Sequence, residues 1–109
     1  MAYTYKVLAQ SAPSATTNTD IYTVGSGKQA IISTITVANR SATARTYRIA
    51  VRPTGATLAN QHYIAYDVPI SANDTTALTL GITLTATDVV TVYASTADLS
   101  FGIFGSEIS

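Results

Sequence analysis

The chain has no cysteine. That excludes disulfides, thiol nucleophiles and thiolate metal sites, and it fits assembly in a reducing compartment. Tryptophan is also absent, and His62 is the single histidine. No second histidine can share a metal with it, and no carboxylate lies close to it in sequence, so no metal or other cofactor is expected. Charge is scarce as well: 11% of residues are ionic, where about a quarter is usual. Six basic and six acidic side chains cancel to a net charge of zero. A neutral, lightly charged surface favours association, so much of this surface is expected to meet other protein. Zero net charge also removes any general attraction to phosphate, and nucleic acid is not an expected partner. No run approaches the roughly 20 apolar residues of a membrane span. The opening MAYTYKVLAQS lacks the basic start and apolar block of a signal peptide. Neither a membrane nor an export route is expected.

What is abundant is the β-branched residue. The densest run is KQAIISTITVA, residues 28–38. Strand side chains alternate with a period of two, which places Ile31, Ser33, Ile35 and Val37 on one side and Ile32, Thr34 and Thr36 on the other. Residues 46–52 repeat the pattern, with Tyr47, Ile49 and Val51 on one face and Arg48 and Arg52 on the opposite one. Further strands are predicted over 20–24, 61–70, 75–84, 89–94 and 99–104. Within them Ile64, Tyr66, Val68 and Ile70 share a face, as do Leu78, Leu80, Ile82 and Leu84, and Leu99, Phe101 and Ile103. Pro69 marks an edge or a bulge, and Gly81 a kink or bulge. Residues 54–60 have room for no more than one helical turn.

Seven short strands about ten residues apart, with turn signals between them, indicate an all-β, antiparallel β-sandwich, jelly-roll-like or immunoglobulin-like. The 109 residues suit one such domain, assigned to residues 20–109. Residues 1–9 form an eighth candidate strand, with Tyr3, Tyr5 and Val7 on one face. The small, polar QSAPSATTNT, residues 10–19, reads as a linker. Residues 1–19 are thus an N-terminal arm with its linker. The arm either pairs with a neighbouring subunit or forms a local edge strand, and the sequence leaves both open.

Motifs for chemistry are missing. Gly25-Ser26-Gly27-Lys28 resembles the end of a phosphate loop, but Tyr22 and Gln29 break the pattern and a strand follows where a helix is needed. A plain hairpin turn is the better reading. No serine sits in a G-x-S-x-G elbow, so no enzyme is expected. A lone histidine at a strand start is usually structural or solvated. Asp20, Asp74, Asp88 and Asp98 read as turn residues, whereas Asp67, in mid-strand, calls for an arginine partner. Asn39-Arg40-Ser41 and Asn73-Asp74-Thr75 match the glycosylation pattern, which matters only in a secreted eukaryotic protein.

Two features suit protein contact. Arg40, Arg45, Arg48 and Arg52 place four of the six cations within 13 residues. They form either a patch for an acidic protein, a carboxylated sugar or nucleic acid, or a solvated face with local ion pairs, and the second reading is preferred for each residue taken singly. Seven tyrosines without tryptophan put Tyr3, Tyr5, Tyr63 and Tyr66 among the candidate interface residues.

The running sequence over YTVGSGKQAIISTITVANRSATARTYRIAVRP (22–53), LANQHYIAYDVPISANDTTALTLGITLTATDVVTVYAS (58–95) and LSFGIFGSEIS (99–109) resembles small structural proteins of tailed bacteriophages, including those of cyanobacteria. The resemblance implies a virion component assembled in the host cytoplasm, homo-oligomeric, with the major capsid protein or tail proteins as partners. Capsid decoration (cement) is the first implied role and a tail, baseplate or fibre-adaptor part the second. A more distant alternative is a glycan-binding module using Tyr63, Tyr66, Arg48 and His62, weakened by the absence of tryptophan. No motif of defined role carries over.

Overall fold

The computed structural model describes residues 2–109. It has eight strands: β1 (Tyr3–Ser11), β2 (Thr19–Thr23), β3 (Gln29–Asn39), β4 (Arg45–Arg52), β5 (Tyr63–Ile70), β6 (Thr75–Thr85), β7 (Val89–Ala94) and β8 (Leu99–Ile108). Single 3-10 turns, Pro53–Gly55 and Asn60–His62, interrupt the connection from β4 to β5. The strands form two four-stranded sheets, ordered β1-β8-β3-β6 and β2-β7-β4-β5. All pairings are antiparallel, and the first strand pairs with the last, the second with the seventh, the third with the sixth and the fourth with the fifth. The chain is a long hairpin rolled over on itself, which is the jelly-roll form of the sandwich.

The core lies between the sheets. Ile32, Ile35 and Val37 of β3 meet Tyr47 and Ile49 of β4, Val90 and Val92 of β7, and Leu99, Phe101 and Ile103 of β8. Tyr47 meets Phe101 edge-on, with ring centroids 6.3 Å apart. Burying each such side chain contributes about 1.5–3 kcal/mol, and this holds the fold together without a cross-link.

Residues 2–9 do not stand apart from the domain, and Met1 lies outside the described residues. β1 pairs with β8 along its length, from Tyr3 opposite Ile108 to Ser11 opposite Phe101, so the local edge strand is the alternative the structure takes. Only residues 12–18 connect, crossing from one sheet to the other, with the Thr16 amide donating to the Ala94 carbonyl at 2.8 Å. The sandwich therefore includes β1. At the other end β8 runs on past the expected residue 104 to Ile108. Gly105 permits this, because a Cβ there would collide with the Ile31 carbonyl on β3.

The alternation of β3 is broken once. Ala30 and Ile32 point inward, then Ile35 and Val37, while Ile31 and Ser33 are exposed. The cause is a bulge: Ile32 pairs with Gly105 and Thr34 with Phe104, which leaves Ser33 as an extra residue. Ile31 and Ser33 therefore do not share a face with Ile35 and Val37, as strict alternation predicts. The same level of the sheet carries an extra Leu8 in β1 and the pair Leu80–Gly81 in β6. Gly81, at φ +64°, is the expected bulge, and the bulge turns Leu80 out to 51% exposure. In β5 a bulge at Tyr66–Asp67 opposite Arg48 does likewise: Val68 and Ile70 face in, but Ile64 and Tyr66 face solvent. Extra residues of this kind reset the phase of a strand, and composition alone does not reveal them.

Candidate protein interface

The outer face of the β1-β8-β3-β6 sheet follows from its register, because residues directly opposite each other in antiparallel strands point to the same side. Tyr3, Ile108, Gln29 and Thr85 form one row across the four strands. Tyr5, Ser106, Ile31 and Thr83 form the next, followed by Val7, Phe104, Thr34 and Thr79, and then Gln10, Gly102, Thr36 and Ala77. No row contains an Asp, Glu, Lys or Arg. Large apolar groups stand open on this face: Tyr5 is 84% exposed, Tyr3 60% and Val7 50%. With Lys6 at its margin and Ile31, Ser33 and Phe104, Tyr3 and Tyr5 line an open hollow of about 550 Å³.

The charges of this end come from inward-pointing positions, although Lys6, on the edge strand, stays exposed. Lys6 and Glu107 point to the inner side, where Lys6 Nζ sits 2.7 Å from Glu107 and the Tyr22 hydroxyl donates to the same carboxylate at 2.8 Å. Lys6 first, then Tyr22, holds the Glu107 carboxyl below its usual range. Burial, then the bond to Glu107, pushes the Tyr22 phenol well above its usual value.

On the opposite sheet the arginines are matched one by one. Arg45 pairs with Asp98 at 3.1 Å, Arg48 with Asp67 at 2.6 Å and Arg52 with Asp20 at 2.8 Å. Arg40 donates to the Ala97 carbonyl at 2.7 Å. Asp20 is thus a strand residue held by Arg52 and Thr91 rather than a turn residue. Arg48 lies between two rings, 4.3 Å from the centroid of Tyr66 and 4.2 Å from that of Tyr93. Asp67, at φ +49° in its bulge, reaches back to it. The Asp67 bond raises the Arg48 pKa further. Tyr63 meets Tyr66 edge-on at 4.9 Å. These residues saturate one another: the Arg48 cation is matched by Asp67 and stacked by two rings. The structure thus brings Arg48, Tyr63 and Tyr66 together, while Tyr3 and Tyr5 lie on the other sheet.

The remaining polar groups hold loops. His62 is buried, and its Nδ1 accepts the Ala59 amide at 3.0 Å. Asp88 accepts the amides of Thr54 and Thr85. Asn39 is 3% exposed, so it is closed to glycosylation. Its Nδ2 reaches the carbonyls of Thr43, Ile70 and Ser71. The Lys28 amide closes a turn on the Gly25 carbonyl, but β2 and β3 lie in different sheets, so this is a turn that crosses between the sheets and not the expected hairpin. Among the described residues no cluster of three or more His, Asp or Glu is placed to hold a metal.

No family model, curated protein or solved structure matches this chain. The site must be read from its own residues.

Ile31 and Leu80 belong to the exposed face, although strict alternation groups them with Ile35 and Val37 and with Leu78 and Ile82. The signal in the sequence is the lack of any charge over 29–39 and over 75–85. Strands that face water on one side usually carry charge there.

Proposed function

We propose that this protein is a non-enzymatic structural component that works by contact, and that its setting is the virion of a tailed bacteriophage, where it decorates the major capsid lattice. The observation that carries the contact reading is the uncharged outer face of the β1-β8-β3-β6 sheet with Tyr3, Tyr5, Val7 and Ile31 exposed on it. Single exposed apolar residues are ordinary, but a contiguous patch marks an interaction surface. Four strands about 4.8 Å apart and ten residues long give a plane of roughly 500–600 Å², near the scale of the ~800 Å² per partner of a standard interface. The virion setting rests on the resemblance of running sequence described above. The jelly roll, used by viral capsid proteins and lectins alike, agrees with it but assigns no function by itself.

The test is reconstitution on capsids of the encoding phage stripped of this protein. Wild-type chain should bind with a copy number near that of the major capsid protein, counted by quantitative mass spectrometry. Tyr5→Glu and Ile31→Lys should abolish binding without lowering the melting temperature, while Thr57→Lys, far from the face, should bind normally. A few copies confined to tails would move the protein to the tail or baseplate. Unimpaired binding by Tyr5→Glu and Ile31→Lys would remove the face from the proposal.

A further inference from the structure

The two sheets have four edge strands, β1, β6, β2 and β5. An edge offers unpaired amides and carbonyls to any other strand, and proteins guard against this with charge, proline, bulges or short length. Three of the edges here are guarded. β1 carries Lys6 and a bulge at Leu8. β2 is five residues long and carries Asp20. β5 carries Asp67 in its bulge, and then Pro69. β6 differs: it runs for 11 residues, TTALTLGITLT, with no charge and no proline. Its one irregularity, at Leu80–Gly81, leaves residues 75–79 straight against β3. Among the described residues no turn or loop backbone bonds to residues 76–84.

We propose that β6 is the edge at which two copies of this chain join, antiparallel about a two-fold axis, into one continuous eight-stranded sheet. A two-fold axis normal to a sheet must pass through a pair of equivalent residues, because opposed residues in antiparallel strands share a face. Ala77, at the centre of the straight segment, is that residue. Thr75 then faces Thr79 of the second copy on the outer side, and Thr76 faces Leu78 on the inner side. Threonine opposite threonine is a favourable cross-strand pair. No like charges are brought together, so the strand is complementary to a second copy of itself. Assembly also stops at two, because β1, the far edge of the joined sheet, carries Lys6. Both outer faces end on the same side, so the dimer doubles the uncharged surface. The proposal concerns the edge and not the outer face, and it stands whatever that face binds.

The experiment is sedimentation equilibrium over a wide range of concentrations, with thermal melts as a check on folding. Wild-type chain should show a monomer–dimer equilibrium. Ala77→Lys and Ala77→Glu should each sediment as monomers with unchanged melts, and an equimolar mixture of the two should recover the dimer. Ala77→Cys supplies a second reading that needs no charge: this otherwise cysteine-free chain should give a disulfide-linked dimer under mild oxidation, while Thr57→Cys should not. A wild-type chain that stays monomeric at every concentration would overturn the proposal. So would a dimer that both charged variants retain and Ala77→Cys fails to cross-link.

Discussion

The Tyr22 phenol on β2 donates to the Glu107 carboxylate on β8 at 2.8 Å and so ties one sheet to the other. Lys6 of β1 closes on the same carboxylate. This makes stability depend on pH at both ends of the scale. Glu107 titrates below its ordinary 4.5 in the folded chain. Its contribution is therefore complete above that value and fades as pH falls through the lowered one. Tyr22 titrates above its ordinary 10.0, so its contribution is complete below pH 10 and fades as pH rises past it. Thermal melts across the range should fall off on both sides. Glu107→Gln should cost about 1 kcal/mol at pH 7, and the difference from wild type should vanish in strong acid.

Gly105 tests how closely β8 and β3 approach. Since a Cβ at this position meets the Ile31 carbonyl, Gly105→Ala must push the strands apart. A loss of about 3 kcal/mol is expected in urea unfolding. Gly27→Ala, where nothing stands within 4 Å, should cost only the strain of its positive φ, roughly 1 kcal/mol.

Asn39 should be the most sensitive polar residue. Its amide serves three carbonyls, and its Oδ1 accepts from the Ser41 amide and hydroxyl. Asn39→Ala strands these buried groups and should cost about 3 kcal/mol. Asn39→Asp sets a carboxylate against the same carbonyls, so its loss should be larger at pH 7 than at pH 4, where the proton returns. Denaturant melts at the two pH values distinguish the variants.

Arg48→Lys keeps the charge but loses the flat stack between Tyr66 and Tyr93 and the two-pronged contact with Asp67. A loss of about 1 kcal/mol is expected. If Arg48 were only a solvated charge, the melt would not move.

Much of this molecule was legible in its sequence. Alternation in 46–52, turn residues at the strand ends and Gly81 as a bulge all follow from local chemistry, and Asp67 does find its arginine. What failed was phase. Ile31 and Leu80 look like core residues because period two carries them inward, and the extra residue that reverses the period is set by neighbouring strands. β1 was ambiguous for a related reason: strand 3–11 has little apolar surface to bury, and what holds it is the backbone ladder with β8, which side-chain chemistry does not announce. The arginines read as a cluster along the chain, yet their acids, Asp20, Asp67 and Asp98, arrive from three distant segments. The uncharged outer face became visible only when register aligned four strands.

The bulges of β1, β3 and β6 lie at one level, while β8 runs through them without a break in its inward–outward alternation. A strand that only alternates can slide by two residues and still present the right faces. Here such a slide would bring Ser33 against a stretch of β8 with no room for the extra residue, and would set a side chain of β8, Ile103 or Glu107, against the Ile31 carbonyl where only Gly105 leaves room. The irregularities therefore act as the teeth of a key: they cost regularity and remove the near-miss pairings that an uninterrupted Thr- and Ile-rich sheet would otherwise sample.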